Sequence, residues 1–292
     1  MEARVGAWAP LHDRGNRRTV MRILVGALVL CAFWFVGLPV LAGAVADRLP
    51  LRWEESLGQA VVDRMVPAAE QCTDSLALGA VTAIVDRLVA AAPPSRYTFR
   101  TRIADDSIVN AFAAPGGYVV VNRGLLEATS TPDELAGVLA HELEHVMLHH
   151  STRAMVREIP LRFALTAIGG ADAMAGIASR AAGTLSVLRY RRGDEAEADE
   201  QGMALIQSAK IDPQGMVDFF GVLGARDSGG FSVVPYLSTH PRTADRIIEM
   251  RQLREAATYQ PVPFASAPEW ATLKTRCDVA PVRHLNSPTG RG

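Results

Sequence analysis

Two histidines four positions apart, His141 and His145, carry the clearest chemical signal in the chain, and Glu142 stands beside the first. On a helix, residues four apart project from one face about one turn apart, so both imidazoles can reach a single metal ion. Histidine is a common zinc ligand, and an adjacent carboxylate can take a proton from water that the metal activates. The pattern H-E-x-x-H therefore predicts a zinc-dependent peptidase.

A second glutamate, Glu144, also flanks the histidine pair. In helical geometry, Glu142 lies about 100° round from His141, and Glu144 lies about 60° round in the opposite direction. This geometry does not choose between the two carboxylates, whereas the motif assigns the general base to Glu142. We expect Glu144 to be ion-paired or solvated.

A third metal ligand must come from elsewhere in the chain, because a catalytic zinc typically takes three protein ligands and leaves one position for water. The best candidates are Glu195 and Asp199, which are four apart and share one face of a second helix pattern. One of them can bind the metal while the other hydrogen-bonds a ligating histidine. Glu197 points elsewhere on that helix, and we expect it to be solvated.

Five of the chain's seven histidines lie at positions 141, 145, 149, 150 and 240. His149 and His150 fall at the end of the motif helix, where the negative end of the helix dipole favours them, and we expect them to be structural. The motif itself sits in a mostly apolar run, which predicts burial on one side. A buried cluster of polar side chains needs a reason, and a metal ion supplies one.

The motif helix has a strong predicted start, since Thr131 can cap it, Pro132 suits the first helical position and Glu134 completes a capping box. Hydrophobic periodicity predicts further elements around it. The predicted helices are 53–66, 75–92, 194–209, 212–223, 243–257 and 270–277, and the predicted strands are 97–103, 108–113 and 118–122. Residues 163–179 read as a packed helical hairpin or a membrane contact. We therefore expect an α+β fold, mainly α, with a small β-sheet.

The bulk composition is that of an ordinary globular protein. The chain has 292 residues, 49% of them hydrophobic, and a net charge of −1, so nothing indicates nucleic-acid binding. Cys72 and Cys277 can pair if the body of the protein sits in an oxidising compartment, and otherwise they are two unpaired thiols. The sequence leaves both alternatives open.

An apolar segment without charges, residues 23–45, follows Arg14, Arg17, Arg18 and Arg22. As a helix it is about 35 Å long, enough to cross a bilayer. The preceding arginines place the N-terminus in the cytoplasm and everything after residue 46 outside. One alternative is a cleaved signal peptide, since residues 44–46 resemble a cleavage site. Another is a lipoprotein signal at Cys31, which the large Leu30 before it argues against.

Four segments resemble the membrane-associated zinc metallopeptidases that include the bacterial heat-shock protease HtpX, the CAAX prenyl protease and their periplasmic relatives. The first resembles the family's N-A-F-A-x-P-G-G segment, the second its active helix, the third its E-x-x-A-D helix signature and the fourth its T-H-P loop. The segments are residues 109–117, 134–142, 192–202 and 238–241. In order and spacing, the resemblance extends over residues 97–255.

This resemblance implies a gluzincin-type helical core on a small sheet, with Glu195 as the third zinc ligand and Asp199 orienting a histidine. It implies that His240 approaches the site, either as a catalytic oxyanion stabiliser or as an alternative metal ligand that shuts the enzyme off. It also implies an edge strand beside the cleft that pairs with substrate backbone. The substrate-binding residues expected there are Asn110, Ala111, Phe112, Ala113, Gly116 and Gly117.

Two positions depart from the family pattern, Glu144 in place of a small residue and Gly193 in place of a polar one, and neither removes a ligand or the base. A single predicted membrane segment favours the periplasmic branch, which acts on misfolded or misassembled envelope proteins. We therefore expect an endopeptidase with one zinc ion per chain. The alternative is a non-hydrolytic, zinc-stabilised chaperone or assembly adaptor at the membrane.

The predicted organisation has four parts. Residues 1–22 form a cytoplasmic tail, residues 23–45 the membrane anchor, residues 46–258 the metallopeptidase domain with its core at 97–255, and residues 259–292 a partly disordered C-terminal extension. This arrangement places a single-pass protein in the bacterial inner membrane with its catalytic domain on the periplasmic side. If the N-terminal segment is cleaved, the domain is released into the periplasm.

Overall fold

The computed structural model describes residues 14–156, 190–227, 236, 240, 244–255 and 257–277. It divides the chain into two units, Met1–Val45 and Ala46–Gly292. The predicted hairpin at residues 163–179 lies outside the described residues, and so do the last residues of the predicted C-terminal extension.

The apolar segment of the first unit is helical, as predicted, but it is not one helix. Helix α1 covers Arg14–Ala32, a π-helical turn covers Phe33–Gly37, and helix α2 covers Leu38–Ala46. The expected single span over residues 23–45 is thus interrupted, and α1 carries arginines in its first turns. Among the described residues, no helix combines the length and the apolarity needed to cross a bilayer.

Three short strands form the sheet of the second unit: β1 (Arg100–Ala104), β2 (Ala111–Ala114) and β3 (Tyr118–Asn122). Their order is β1-β3-β2, with β1 parallel and β2 antiparallel to β3. The first two strands begin three residues later than the sequence predicts. The reason is the length of β3. Its first residue lies opposite Arg100 of β1, and its last residues lie beside Ala111 of β2, so the residues before these two positions have no ladder partner.

Both faces of the sheet are buried, because alternate residues enter two different cores. Val119 and Val121 belong to the larger core, together with apolar residues of the helices on that side. Tyr118 and Val120 belong to a smaller core that includes Val62 on the helix before the sheet. The sheet is therefore a central layer.

The helices of this unit follow the predicted pattern within a few residues. They are α3 (Leu51–Met65), α4 (Ser75–Ala91), α5 (Arg123–Ala128), α6 (Pro132–Met147), α7 (Arg192–Ser208), α8 (Gln214–Asp227), α9 (Ala244–Glu255) and α10 (Ala267–Leu273). Residues 150–156 are also helical. The short α5 is not predicted, because six residues are too few for an apolar period to be recognised.

Helix α6, which carries the H-E-x-x-H motif, is the centre of the fold and contacts α4, α7, α8 and β2. Thr131 caps it as predicted, but the Glu134 carboxylate accepts from the backbone N–H of Ser130, one residue before the cap. Helix α8 crosses closely at Gly137, where a Cβ would lie 2.5 Å from Met216 Cα. A glycine there lets the two helix backbones approach.

Cys72 and Cys277 form a disulfide, with their Cα atoms 5.4 Å apart and a sequence separation of 205. Beside it, the Trp270 indole N–H donates to Thr129 Oγ1 at 3.2 Å. The described residues of the predicted C-terminal extension are therefore fixed to the core. Cys31 is free and exposed.

Candidate metal centre

Helix α6 brings His141 and His145 together, as the motif predicts. Their Nε2 atoms are 3.0 Å apart, and both side chains are completely buried. Burial lowers the pKa of His145 well below its ordinary value, which keeps the ring in the neutral form that binds metals. The apolar sequence around the motif produces this burial, because α6 is covered by helices and by the sheet.

Helix α7 supplies Glu195 to the same point. Its Oε1 lies 3.5 Å from His145 Nε2, and its Oε2 lies 3.7 Å from His141 Nε2. The approach depends on Gly202, where a Cβ would lie 3.2 Å from the backbone nitrogen of His141. Larger residues at this position would push α7 away from the histidines.

Asp199, one turn after Glu195, contacts the other side of His141. Its Oδ1 lies 3.0 Å from His141 Nδ1, and Arg246 of α9 donates to the same carboxylate at 2.8 Å. Burial alone would raise the pKa of Asp199, but hydrogen bonds from Arg246 and His141 hold it below its ordinary value. The carboxylate is thus ionised and fixes the orientation of the His141 ring.

His240 reaches the cluster from the segment between α8 and α9. Its Nδ1 lies 3.2 Å from His141 Nε2 and 3.1 Å from Glu195 Oε1, and its Nε2 lies 3.3 Å from Glu142 Oε1. The ring is buried and stacks on Tyr236, with ring centroids 4.5 Å apart. His240 therefore touches both the candidate ligands and the candidate base.

The donor atoms fit a metal ion. Because His141 Nδ1 faces a carboxylate, it carries the ring proton, and Nε2 is then a lone pair that points at the nitrogens of two other histidines. One ligand atom from each member of the cluster lies within 4.8 Å of all the others. The cluster comprises His141, His145, Glu195 and His240. Imidazole nitrogens and a carboxylate are the donors that zinc prefers.

Glu142 is buried beside these donors and is tied to the sheet. Its Oε2 accepts from the backbone N–H of Ala113 at 3.1 Å, and the carbonyl of Ala113 accepts from Ser151 Oγ at 2.9 Å. The backbone N–H of residue 122 donates to the carbonyl of residue 110, so these two residues form a hydrogen-bonded pair of the antiparallel ladder. Because such pairs alternate along the strands, the backbone N–H and carbonyl of residue 113 point away from β3. Both contacts therefore lie on the free edge of β2.

The other predicted substrate residues differ in what surrounds them. Asn110 is buried, and its Oδ1 has no hydrogen-bond partner within the described residues. Ala111 is buried on the same strand, whereas Phe112 points into the smaller core. Gly116 and Gly117 form the turn with positive φ and pack against the backbones of Glu55 and Thr98.

One expectation about residues near the motif is corrected by the structure, and two others gain contacts that the sequence did not predict. Glu144 is buried rather than solvated, because helices cover α6 on that flank as well, and burial raises its pKa to about 7. Glu197 is half-exposed, as expected, and it also contacts His150 Nε2 at 3.3 Å. His150 follows the end of α6, as expected, and it is completely buried in contact with His145.

Sequence reasoning missed several residues that complete the site. Arg246 bridges the two carboxylates of α7, Tyr190 stacks on His145 with centroids 3.6 Å apart, and Ser151 holds the Ala113 carbonyl. None belongs to a local motif. The spacing of five between His145 and His150 offered no signal either, since residues five apart on a helix lie about 140° apart around its axis.

Comparison with known proteins matches residues 76–254 to Peptidase family M48. The β-barrel assembly-enhancing protease of Yersinia pestis is 30% identical over 250 residues, which cover 82% of this chain and 51% of that protein. A putative protease of the same name from Vibrio cholerae is 34% identical over 201 residues, 65% of this chain and 41% of that protein.

A mitochondrial relative, metalloendopeptidase OMA1 of Schizosaccharomyces pombe, is 28% identical over 192 residues, 65% of this chain and 55% of that protein. The chain thus spans about half the length of the relatives it matches. Since the family match covers more than half of the chain, the resemblance expected from the sequence is confirmed, and the chain belongs to peptidase family M48, whose metal is zinc.

Proposed function

We propose that this chain is a zinc-dependent endopeptidase that hydrolyses peptide bonds of envelope proteins. The observation that carries the proposal is the position of Glu142. Its carboxylate is buried against the cluster of four possible ligands but is not a member of that cluster. A protein that used zinc only for stability would have no need of a buried carboxylate beside the metal.

We assign the metal to His141, His145 and Glu195. When bound, zinc supplies a Lewis acid that polarises the scissile carbonyl and lowers the pKa of water. Asp199 supports this set by holding His141 through Nδ1, and Arg246 in turn holds Asp199. The three ligands come from two helices that pack against each other, so the packing of these helices brings the ligands together.

Glu142 acts as the general base and then passes its proton to the leaving amine. Burial raises the pKa of Glu142, and a more basic carboxylate accepts a proton more readily near neutral pH. The Ala113 N–H fixes Oε2, so the direction of the carboxylate is set by the sheet edge.

His240 completes a four-residue donor set in the arrangement seen here. Catalytic zinc sites keep one position open, whereas sites with four protein ligands are closed. We propose that this arrangement is a resting one and that His240 leaves the set when substrate enters. In the present arrangement its Nε2 lies 3.3 Å from Glu142 Oε1, so we propose that the ring, once released, stabilises the developing oxyanion beside the base.

The free edge of β2 is the proposed substrate-binding strand. Ala111 and Ala113 present backbone groups outward, and an extended polypeptide can pair with such an edge. Asn110, whose Oδ1 has no hydrogen-bond partner in the part of the chain that the structure describes, lies at one end of this strand, and the turn residues Gly116 and Gly117 lie at the other. Phe112 supports it from the opposite face.

We place the protein in the bacterial envelope, with residues 23–45 as the anchor and the catalytic unit on the periplasmic side. Large apolar side chains of that segment are exposed, including Ile23, Leu28 and Leu30, and this favours contact with lipid. The Cys72–Cys277 disulfide suits an oxidising compartment. Two relatives are named for β-barrel assembly, which favours quality control of envelope proteins as the role.

Cleavage of casein or of an unfolded peptide, with and without a chelator, tests the proposal. We expect turnover that a chelator abolishes and added zinc restores. If the zinc-loaded chain binds unfolded protein but cleaves none, the alternative of a zinc-stabilised chaperone or assembly adaptor is correct. Carbonate extraction of the full chain, compared with residues 46–292 expressed alone, tests the anchor.

A further inference from the structure

His145 is held by a second buried histidine rather than by a carboxylate. Its Nδ1 lies 3.1 Å from Nδ1 of His150, whereas the equivalent nitrogen of His141 faces Asp199. His150 is completely buried, and its own Nε2 lies 3.3 Å from Glu197 Oε2. The two histidines of the H-E-x-x-H motif thus have outer partners of different chemistry.

The protons in this chain of contacts can be placed from the geometry. A neutral imidazole carries one N–H and one acceptor nitrogen, so a single hydrogen lies between the two Nδ1 atoms. Since His145 Nε2 faces the ligand cluster as a lone pair, its proton is on Nδ1. His150 Nδ1 then accepts a hydrogen bond from the Nδ1–H of His145. The remaining proton of His150 is on Nε2, which donates to Glu197.

We propose that His150, with Glu197 behind it, is a positioning residue that fixes the tautomer and orientation of His145 for zinc. The inference rests on the proposed function, because it assigns His145 Nε2 to the metal. Glu197 sits two residues after the ligand Glu195 on α7, so one helix supplies a ligand, the outer partner of His141 and the carboxylate behind His150.

Packing supports this role. Tyr190 stacks on the His145 ring with an interplanar angle of 10°, which leaves rotation within the ring plane to be fixed by hydrogen bonding. Without His150 the buried Nδ1–H of His145 would have no acceptor, and a buried unsatisfied donor is costly. The ring could then turn, and its Nε2 would leave the cluster.

The experiment compares His150→Asn with His150→Leu in the full chain. Asparagine places an acceptor oxygen near the position of Nδ1, and leucine has the same number of side-chain heavy atoms but no acceptor. Zinc affinity is measured by competition with a chromophoric chelator, and zinc release is measured after mixing with excess chelator. Both readouts are independent of peptidase activity.

We expect His150→Leu to bind zinc about 10- to 100-fold more weakly than wild type and to release it faster. His150→Asn should stay within about threefold of wild type, because the acceptor is retained. Glu197→Ala should have a smaller effect than His150→Leu, since its side chain is 53% exposed and water can replace it.

His149→Asn is the matched control. His149 is the sequence neighbour of His150, but its contacts are with Arg96, Tyr97 and Glu54, outside the ligand cluster. Its φ is 61°, a conformation that asparagine tolerates. Zinc affinity in this variant should equal that of wild type.

Equal zinc affinity of the leucine and asparagine variants would overturn the inference. If either variant fails to fold, nitrogen-15 spectra of the histidines in the zinc-loaded wild-type chain decide it, since the proton is expected on His145 Nδ1 and His150 Nε2. A proton on His150 Nδ1 would refute it. Failure of the wild-type chain to bind zinc at all would instead overturn the proposed function itself.

Discussion

The backbone N–H of Ala113 donates a hydrogen bond to Glu142 Oε2 across 3.1 Å, which joins the free edge of the sheet to the proposed general base. Ser151 occupies the carbonyl of the same residue. An incoming polypeptide strand would need both of these backbone groups. Substrate pairing and the position of the base are therefore coupled through one residue of β2.

Replacing Glu142 with glutamine should abolish turnover while zinc content stays unchanged. The amide oxygen of the new side chain still accepts from the Ala113 N–H, but it cannot take a proton, and general-base catalysis contributes about 10²- to 10⁴-fold. Peptidase assays alongside zinc analysis by mass spectrometry measure both quantities. The matched control is Glu144→Gln, which removes the other flanking carboxylate and should retain activity. Near-native turnover in the Glu142→Gln variant would show that the base is another group.

Removing the hydroxyl of Ser151 should make it easier for a substrate strand to pair with the edge of β2. In Ser151→Ala the Ala113 carbonyl loses its internal donor, and a typical hydrogen bond contributes about 0.5–1.5 kcal/mol. We expect KM to fall about two- to tenfold with little change in kcat. Steady-state kinetics with a fluorogenic peptide measure this. The control is Ser56→Ala, whose hydroxyl donates to the Arg52 carbonyl at an exposed position of α3. A higher KM would mean that Ser151 helps to bind substrate.

The contribution of Glu144 to stability should fall as pH rises from about 4 to 7. Burial raises the pKa of this carboxyl to about 7 in the folded chain, and Glu197 adds repulsion, while the pKa in the unfolded chain is about 4.3. The folded state therefore binds the proton more tightly than the unfolded state does. The resulting contribution to stability is complete below the pKa of the unfolded chain and is lost as pH rises through the pKa of the folded chain.

The variant Glu144→Gln should not lose stability in this way, because glutamine does not titrate. We expect the variant to be more stable than wild type by roughly 1–3 kcal/mol at pH 8 and equal to it at pH 4. Urea unfolding followed by circular dichroism at the two pH values provides the test. A stability difference that does not change with pH would exclude Glu144 as the titrating group.

Reduction of the Cys72–Cys277 disulfide should destabilise the catalytic unit. The bond closes a loop of 205 residues in sequence, and loss of a native disulfide typically costs about 2–5 kcal/mol. Melting curves of Cys72→Ser, and of wild type with and without reductant, measure the effect. Cys31→Ser, at the free and exposed cysteine, should melt as wild type does. Identical melting with and without reductant would mean that the disulfide does not form.

Two glycine substitutions should have opposite effects. In Gly137→Ala the new Cβ would lie 2.5 Å from Met216 Cα, so α6 and α8 must separate, at a cost of about 1–3 kcal/mol. Gly221→Ala, within α8, meets nothing within 4 Å and should stabilise its helix by about 0.5–1 kcal/mol. Thermal unfolding distinguishes them, and a neutral Gly137→Ala would show that the two helices are not in close contact.

Much of the fold follows from local pattern. Thr131 and Pro132 mark the start of α6, and a short run of β-branched apolar residues after a turn marks β3, because capping and strand preference depend on neighbours in sequence. The strand before β3 is less well predicted, since its limits are set by the length of its partner. Helix α5 is missed because it is shorter than the pattern that would reveal it.

The sequence by itself determined that His141 and His145 share one helix face, since a spacing of four fixes their relation within a single turn. It limited the candidates for the third metal ligand to Glu195 and Asp199. Only the packing of α7 on α6 shows that Glu195 lies in the cluster and that Asp199 contacts Nδ1 of His141. The contacts of His150, Arg246 and Ser151, and the pairing of Cys72 with Cys277, join segments far apart in the chain or on separate elements. Such contacts depend on how the helices and the sheet pack together, and no local periodicity encodes that arrangement.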